Sequence, residues 1–107
     1  MRPFASLRRR ADFSRMRARG RRIQAPDLIV FRSDAAPSDP LPLVGIAVSK
    51  AVGNAVERNA VRRRVLAILD AALADRAPVR ILVVARPSAQ RASFDVLRRQ
   101  IGRALAS

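Results

Sequence analysis

The feature that most constrains the fold is an amphipathic segment over residues 55–73, which lies between two apolar runs. Those runs, residues 43–49 and 79–85, have the composition of β-strands, and the second is almost continuously apolar, as in an interior strand. A strand, a long helix with Asn54 as its N-cap, and another strand predict a parallel pair joined by a crossover helix. The helix is expected to bury a stripe formed by Val61, Val65, Ile68, Leu69, Ala72 and Leu73.

Shorter helices are predicted near both ends of the chain. Residues 11–19 form a candidate helix on which Phe13 and Met16 share a face, and Gly20 is expected to end it in the left-handed conformation. A last helix is predicted over residues 93–105. Its buried side chains are expected to be Phe94, Leu97, Ile101 and Leu105.

Two short strands, over residues 21–24 and 28–32, are predicted before a proline- and aspartate-containing loop over residues 33–42. The order of elements is therefore helix, two or three strands, helix, strand, helix. That order predicts an α+β fold of the α/β-sandwich type, with one mixed sheet packed against helices. The length of 107 residues predicts a single domain, in which residues 1–10 form a flexible basic arm.

The charge balance indicates a polyanionic partner. The chain carries 22 basic residues, all arginine except Lys50, against 8 acidic residues, for a net charge of +14. Such an excess repels itself unless a polyanion neutralises it, and nucleic acid is the polyanion that arginine-rich surfaces favour. An anionic membrane surface and a merely solvating charge are the alternatives, and both are weaker explanations at this magnitude.

The residue types that the chain lacks argue against a protein-only active site. It has no cysteine and no histidine, which removes thiolate metal sites, disulfides and the commonest general base. Its acids show no paired motif such as Asp-x-Asp, which argues against a stand-alone metal-dependent nuclease. Because no apolar run is long enough to span a bilayer and no secretory signal is visible, a cytoplasmic protein without a membrane partner is expected.

A cluster of arginines lies in the first turns of the long helix. At about 100° per residue, four side chains fall within an arc of roughly 140° beside the apolar stripe, whereas Arg64 projects away from it. Two of the four, Arg58 and Arg62, are spaced i, i+4 and repel each other, so this face is suited to contact phosphates. An ordinary solvated face is the alternative. The four are Arg58, Asn59, Arg62 and Arg63.

The sequence around this cluster resembles the signature of the bacterial ribonuclease P protein family. Residues 7–20 are also similar to that family, with Asp12 and Phe13 on the first helix and Gly20 at its end. The likeness covers about residues 7–105, almost the whole chain. The central motif that carries it reads Gly45-x-x-Val48-Ser49-Lys50-x-x-Gly53-Asn54-Ala55-Val56-x-Arg58-Asn59-x-x-Arg62-Arg63.

The resemblance implies a fold, an activity and partners. It implies an α/β sandwich with a left-handed βαβ crossover. It also implies assembly with a catalytic RNA, which cleaves precursor tRNA to form the mature 5′ end and itself binds the magnesium that the reaction needs. The protein is therefore expected to hold no catalytic residue and no metal of its own, to be inactive alone, and to need no obligate protein partner.

The resemblance further implies roles for individual residues. The 5′ leader of precursor tRNA is expected in a cleft between the first helix and the sheet, lined by Phe13, Arg17, Ile29, Phe31 and Lys50. Plain core packing is the alternative for Phe13, Ile29 and Phe31, because such residues are often buried. The catalytic RNA is expected on the basic helix, at Arg58, Asn59, Arg62, Arg63 and Arg64.

The chain departs from the family pattern at two positions. The family usually has Arg-Asn-Arg where this chain ends in Ala60, and Arg64 is expected to offset the lost contact. A second aromatic usually follows Phe13 by one turn, whereas Arg17 stands here, which favours phosphate or cation contacts. A ribosomal or general RNA-binding protein without a role in tRNA processing is the alternative that composition alone leaves open.

Overall fold

Five strands and three helices make up the fold in the computed structural model, which describes residues 2–107. Two short 3-10 turns, Lys50–Val52 and Pro87–Gln90, follow β4 and β5. None of the helices in the described part has the length and apolarity to span a bilayer. The elements are β1 Ala5–Ser6, α1 Arg10–Arg19, β2 Arg21–Gln24, β3 Leu28–Asp34, β4 Leu43–Ala47, α2 Ala55–Ala72, β5 Val79–Ala85 and α3 Phe94–Ala106.

The strands form one mixed sheet in the order β1-β4-β5-β3-β2. β4 and β5 pair in parallel, as the strand-helix-strand pattern predicts, whereas β3 is antiparallel to both of its neighbours. β5 lies in the centre of the sheet, which explains its nearly continuous apolar sequence. The predicted α+β class with a single mixed sheet is therefore confirmed.

One face of the sheet is covered by α2 and α3. The predicted stripe of α2 packs here, with Val61, Val65 and Leu69 fully buried. A capping box starts this helix, because the Asn54 side chain accepts from the Glu57 N–H while the Glu57 carboxylate accepts from the Asn54 N–H. The cap fixes where α2 begins, and therefore which of its later side chains face solvent.

The prediction that Phe94 is buried is wrong. Its side chain is 45% exposed, although it lies on the apolar side of α3. The residues that line the seam beside it on α2 include Ala67 and Ala71, which are too short to cover a phenyl ring. The spacing of apolar residues identified the correct face of α3, but the size of the opposing side chains decides how far each one is covered.

The other face of the sheet is covered only in part, by α1. A second, smaller core cluster forms there from Leu7, Met16, Phe31 and Leu82. The predicted left-handed conformation of Gly20 is wrong, because its backbone is extended, with φ −66° and ψ 152°. A Cβ at Gly20 would lie 2.5 Å from the carbonyl oxygen of Met16, so a close approach of the backbone explains this glycine.

The N-terminal segment differs from the expected flexible basic arm over residues 1–10. Ala5–Ser6 forms β1, paired in parallel with β4, and the flanking Phe4 and Leu7 are each only 6% exposed. These two apolar side chains anchor a segment whose other residues are largely basic or small, so composition concealed them. Met1 lies outside the described residues.

An ion-pair network fastens α1 and the loop before β4 to the central strand. Arg80 of β5 donates to Asp39 through Nε at 2.9 Å and Nη2 at 3.2 Å. Its Nη1 lies 3.6 Å from a carboxylate oxygen of Asp12 on α1. The hydrogen bonds from Arg80 hold the pKa of Asp39 below its usual range, and pairing with Asp39 raises the pKa of Arg80.

Asp39→Asn is expected to lower the free energy of unfolding by about 1–2 kcal/mol at pH 7, because a largely buried guanidinium loses its charged acceptor. The lowered pKa of Asp39 means that its contribution is present above the unfolded-state pKa and is lost as the pH falls through the folded-state pKa. Urea unfolding at a series of pH values should therefore show wild type and variant converging in acid. Asp34→Asn, at an exposed position, is the matched control and should change little.

Candidate nucleic-acid interface

A basic flank of α2, formed by Arg58, Asn59, Arg62 and Arg63, faces solvent as its spacing predicts. Asn59 and Arg63 are exposed, whereas Arg58 and Arg62 are half-buried. Arg62 Nη1 donates to Asn59 Oδ1 at 3.0 Å, and Arg58 Nη1 makes a long contact of 3.4 Å to the Gly53 carbonyl. Within residues 2–107 these three arginines form no ion pair with a carboxylate. The flank therefore offers cations and an amide to an external acceptor.

Arg64 lies on the opposite side of α2. Its Nη1 donates to the carbonyl of Ala92 at 2.9 Å. Glu57, on the same side, accepts from the Gln90 amide. Arg64 therefore ties α2 to the segment before α3, and the structure does not bring it together with the basic flank. Its expected role of offsetting Ala60 has no support in this placement.

A cleft floor lies on the α1 side of the sheet, where α1 leaves the strand ends uncovered. The register places Ile29 of β3 opposite Val84 of β5, and Val84 opposite Ala47 of β4. Residues paired in this way project to the same face, so the three side chains form one row across three strands. All three are half-buried and pack against the smaller core cluster. This row, the cleft floor, is apolar and partly accessible.

Phe31 does not line this floor. It is 7% exposed and packs with Met16 and Leu82 beneath α1. The core-packing alternative therefore describes Phe31, whereas Ile29, one register step away, remains partly accessible. Both were assigned to the cleft because they alternate on one strand face, but α1 covers only the inner of the two positions.

Phe13 projects from α1 onto β4. A Cβ on Gly45 would lie 2.8 Å from the ring, so the absence of a side chain at Gly45 makes room for Phe13. The ring is half-buried and borders a groove of about 250 Å³ along the edge of β4, beyond the end of β1. Arg62 and Leu66 of α2 line the same groove. The groove thus connects the predicted leader residue Phe13 with the basic flank.

Two basic residues lie near the cleft without a carboxylate ion pair in the described part of the chain. Arg17 is exposed on α1, one turn after Phe13, and Lys50 is exposed in the 3-10 turn after β4. Since β4 runs from Leu43 to Ala47, Lys50 follows the end of the strand that carries Ala47. The floor therefore has a cation beyond its β4 end.

Sequence reasoning missed several residues on this face. Ala47 and Val84 belong to the floor, and Gln24 of β2 continues the same row next to Ile29. Arg22, opposite Phe31, shares that face. Strand alternation signals that such residues can share a face, but the order of the strands is needed to place them side by side.

Most acidic side chains in the described residues are already engaged by neighbouring donors or cations. Asp12 and Asp39 contact Arg80. Hydrogen bonds from Arg98 and Arg99 lower the pKa of Asp95. Residues 2–107 contain no group of three or more acidic side chains placed to hold a metal ion. The other engaged acids are Asp27 with Gln100, Glu57 with the Asn54 N–H, and Asp70 with Arg2.

Comparisons with known proteins agree on one family. The family described as Ribonuclease P matches residues 1–107. The chain is 41% identical over 100 residues to the ribonuclease P protein component of Acidothermus cellulolyticus, covering 92% of this chain and 83% of that protein. It is 39% identical over 109 residues to that of Beutenbergia cavernae, covering 100% and 91%. The RNase P protein of Staphylococcus aureus superposes with a TM-score of 0.83 at 25% identity, covering 94% and 92%.

Proposed function

Because the chain belongs to the ribonuclease P protein family, we propose that it is the protein subunit of ribonuclease P. In this role it binds a catalytic RNA and the 5′ leader of precursor tRNA, and it assists removal of the leader to form the mature tRNA 5′ end. The observation that carries the proposal is the pairing of two different surfaces, the basic flank of α2 and the partly open cleft floor, joined by the groove at the edge of β4.

The basic flank suits a folded RNA. Arg58, Arg62 and Arg63 present planar groups of donors that fit phosphate oxygens, and Asn59 adds an amide between them. No carboxylate of the described chain forms an ion pair with these arginines, so their charge is available to RNA. Binding there is driven by release of counterions from the RNA and should depend steeply on salt.

The cleft suits a single strand. Ile29 and its neighbours provide an apolar floor, and the Phe13 ring offers a face on which a base can stack. Arg17 and Lys50 lie near enough in the fold to contact the phosphates of the same strand. An extended leader is unstacked and can use such a surface, whereas a duplex cannot.

The protein is proposed to contribute binding and positioning rather than the cleavage step. The chain lacks histidine and cysteine, and most of its carboxylates are engaged by its own donors. The residues present therefore do not suit a protein-held magnesium site, and we assign magnesium to the RNA subunit. A cytoplasmic location, where transcripts are processed, accompanies this role.

Reconstitution tests the proposal. Adding the protein to its catalytic RNA at low magnesium should stimulate 5′ cleavage of precursor tRNA, because the protein supplies cations and leader contacts that magnesium otherwise has to replace. The protein alone, with magnesium and after stringent ribonuclease treatment, should show no cleavage. Tight, salt-sensitive binding to ribosomal RNA without stimulation of cleavage would instead favour the general RNA-binding alternative.

A further inference from the structure

Two arginines converge on one neutral amide where the row of the cleft floor reaches β2. With the Gln24 amide oriented to suit its neighbours, its oxygen accepts from Arg86 Nη2 at 2.8 Å and from Arg22 Nη2 at 3.3 Å. Gln24 is paired with Ile29, and Arg22 with Phe31, so both project to the α1 side of the sheet. Arg86 follows β5 in extended conformation, two residues after Val84, and joins them on that side.

This pair is unusual within the molecule because no carboxylate balances it. Within residues 2–107 neither Arg22 nor Arg86 forms an ion pair, and Nε of Arg86 is buried without a hydrogen-bond partner. A buried donor without an acceptor is costly and calls for an explanation. Other partly buried arginines have anionic or carbonyl acceptors: Arg32 with Ala104 and Leu105, Arg64 with Ala92, Arg76 with Leu105, and Arg80 with Asp39.

We propose that Arg22 and Arg86 bind a phosphodiester of the 5′ leader, with Gln24 as the positioning residue that holds the two guanidinium groups together. This inference rests on the proposed function. A phosphate supplies several acceptor oxygens and a negative charge, which matches two adjacent guanidinium forks. The local repulsion between the two arginines is then relieved by the ligand rather than by the protein.

The site also gives the leader a direction across the sheet. The floor runs from Ala47 on β4 through Val84 and Ile29 to Gln24 on β2, and four adjacent strands span about 14 Å. Lys50 lies beyond the β4 end, and the arginine pair lies at the β2 end. A single strand crossing the floor would therefore meet cations at both ends and apolar side chains between them.

The test uses the reconstituted holoenzyme and the double variant Arg22→Gln with Arg86→Gln. Binding of precursor tRNA with a long leader should weaken about fivefold near 0.1 M salt, and the log–log salt slope should fall by about 0.7, as for one phosphate contact to a single strand. Affinity for mature tRNA should not change. Arg103→Gln, which removes an exposed charge on α3, is the control for net charge and should behave as wild type.

A leader-length series locates the contact. The difference between wild type and the double variant should disappear once the leader is too short to reach β2, and one neutral methylphosphonate linkage should weaken wild type but not the variant. The single variant Arg22→Gln, at an exposed position, should show part of the same leader-dependent loss if the double variant unfolds. An equal loss for mature tRNA, or no loss with any leader, overturns the inference. If wild type itself does not distinguish precursor from mature tRNA, the proposed function fails as well.

Discussion

Replacing Arg58 and Arg62 together by alanine is expected to weaken binding of the catalytic RNA roughly 60-fold near 0.1 M salt. Each phosphate contact to a helical RNA releases about 0.9 counterion on the polyelectrolyte scale, so two lost contacts should lower the log–log salt slope by about 1.8. Both side chains lie on the basic flank of α2 without a carboxylate ion pair in the described chain. Filter binding or fluorescence titration at several salt concentrations measures affinity and slope together.

The stability of the double variant separates lost binding from lost folding. Arg58 and Arg62 are like charges at i and i+4, so their removal relieves a repulsion of a few tenths of a kcal/mol. The contacts given up inside the protein are modest, the bond from Arg62 to Asn59 at 3.0 Å and the long contact from Arg58 to the Gly53 carbonyl. The melting temperature should therefore change little while RNA affinity falls.

Arg98→Ala with Arg99→Ala is the matched control, since it removes the same two charges from α3. Those two side chains pair with the exposed Asp95, away from the basic flank. The control should retain most of the affinity and nearly the full salt slope. If both double variants lose affinity equally, net charge rather than the basic flank governs binding, and if neither loses any, the flank does not contact the RNA.

The elements that sequence predicted correctly are those whose information is local. The α2 stripe, the Asn54 cap and the apolar β5 all follow from residues within a few positions of one another. The strand-helix-strand order then required a parallel pair, which β4 and β5 form. Because the basic flank borders this stripe, its exposure could be predicted with the helix itself.

The errors arose where distant segments meet. The exposure of Phe94 depends on the alanines of α2, and the burial of Phe31 depends on how far α1 extends over the sheet. The cleft floor takes one residue from each of three strands, and the order β1-β4-β5-β3-β2 decides that they adjoin. No periodicity along the chain encodes that order, so only the Ile29 part of the floor was identified.

Phe13→Ala is expected to weaken binding of precursor tRNA by about 10- to 30-fold while leaving mature tRNA binding unchanged. Stacking of one base on an aromatic ring contributes about 1–3 kcal/mol, and only the precursor carries the leader. The ring is half-buried against Gly45, so its removal also costs stability, by less than the roughly 3–5 kcal/mol of a fully buried phenylalanine. Titration of both tRNAs against the holoenzyme, at a temperature where the variant is folded, measures the difference.

Phe13→Leu distinguishes stacking from packing. Leucine retains most of the apolar volume beside Gly45 and the smaller core cluster, so the melting temperature should recover towards that of wild type. It lacks a flat π-face, so the defect in precursor binding should remain. Full rescue of precursor binding by leucine, or equal losses for precursor and mature tRNA in Phe13→Ala, would show that Phe13 acts by supporting α1 over the sheet rather than by contacting the leader.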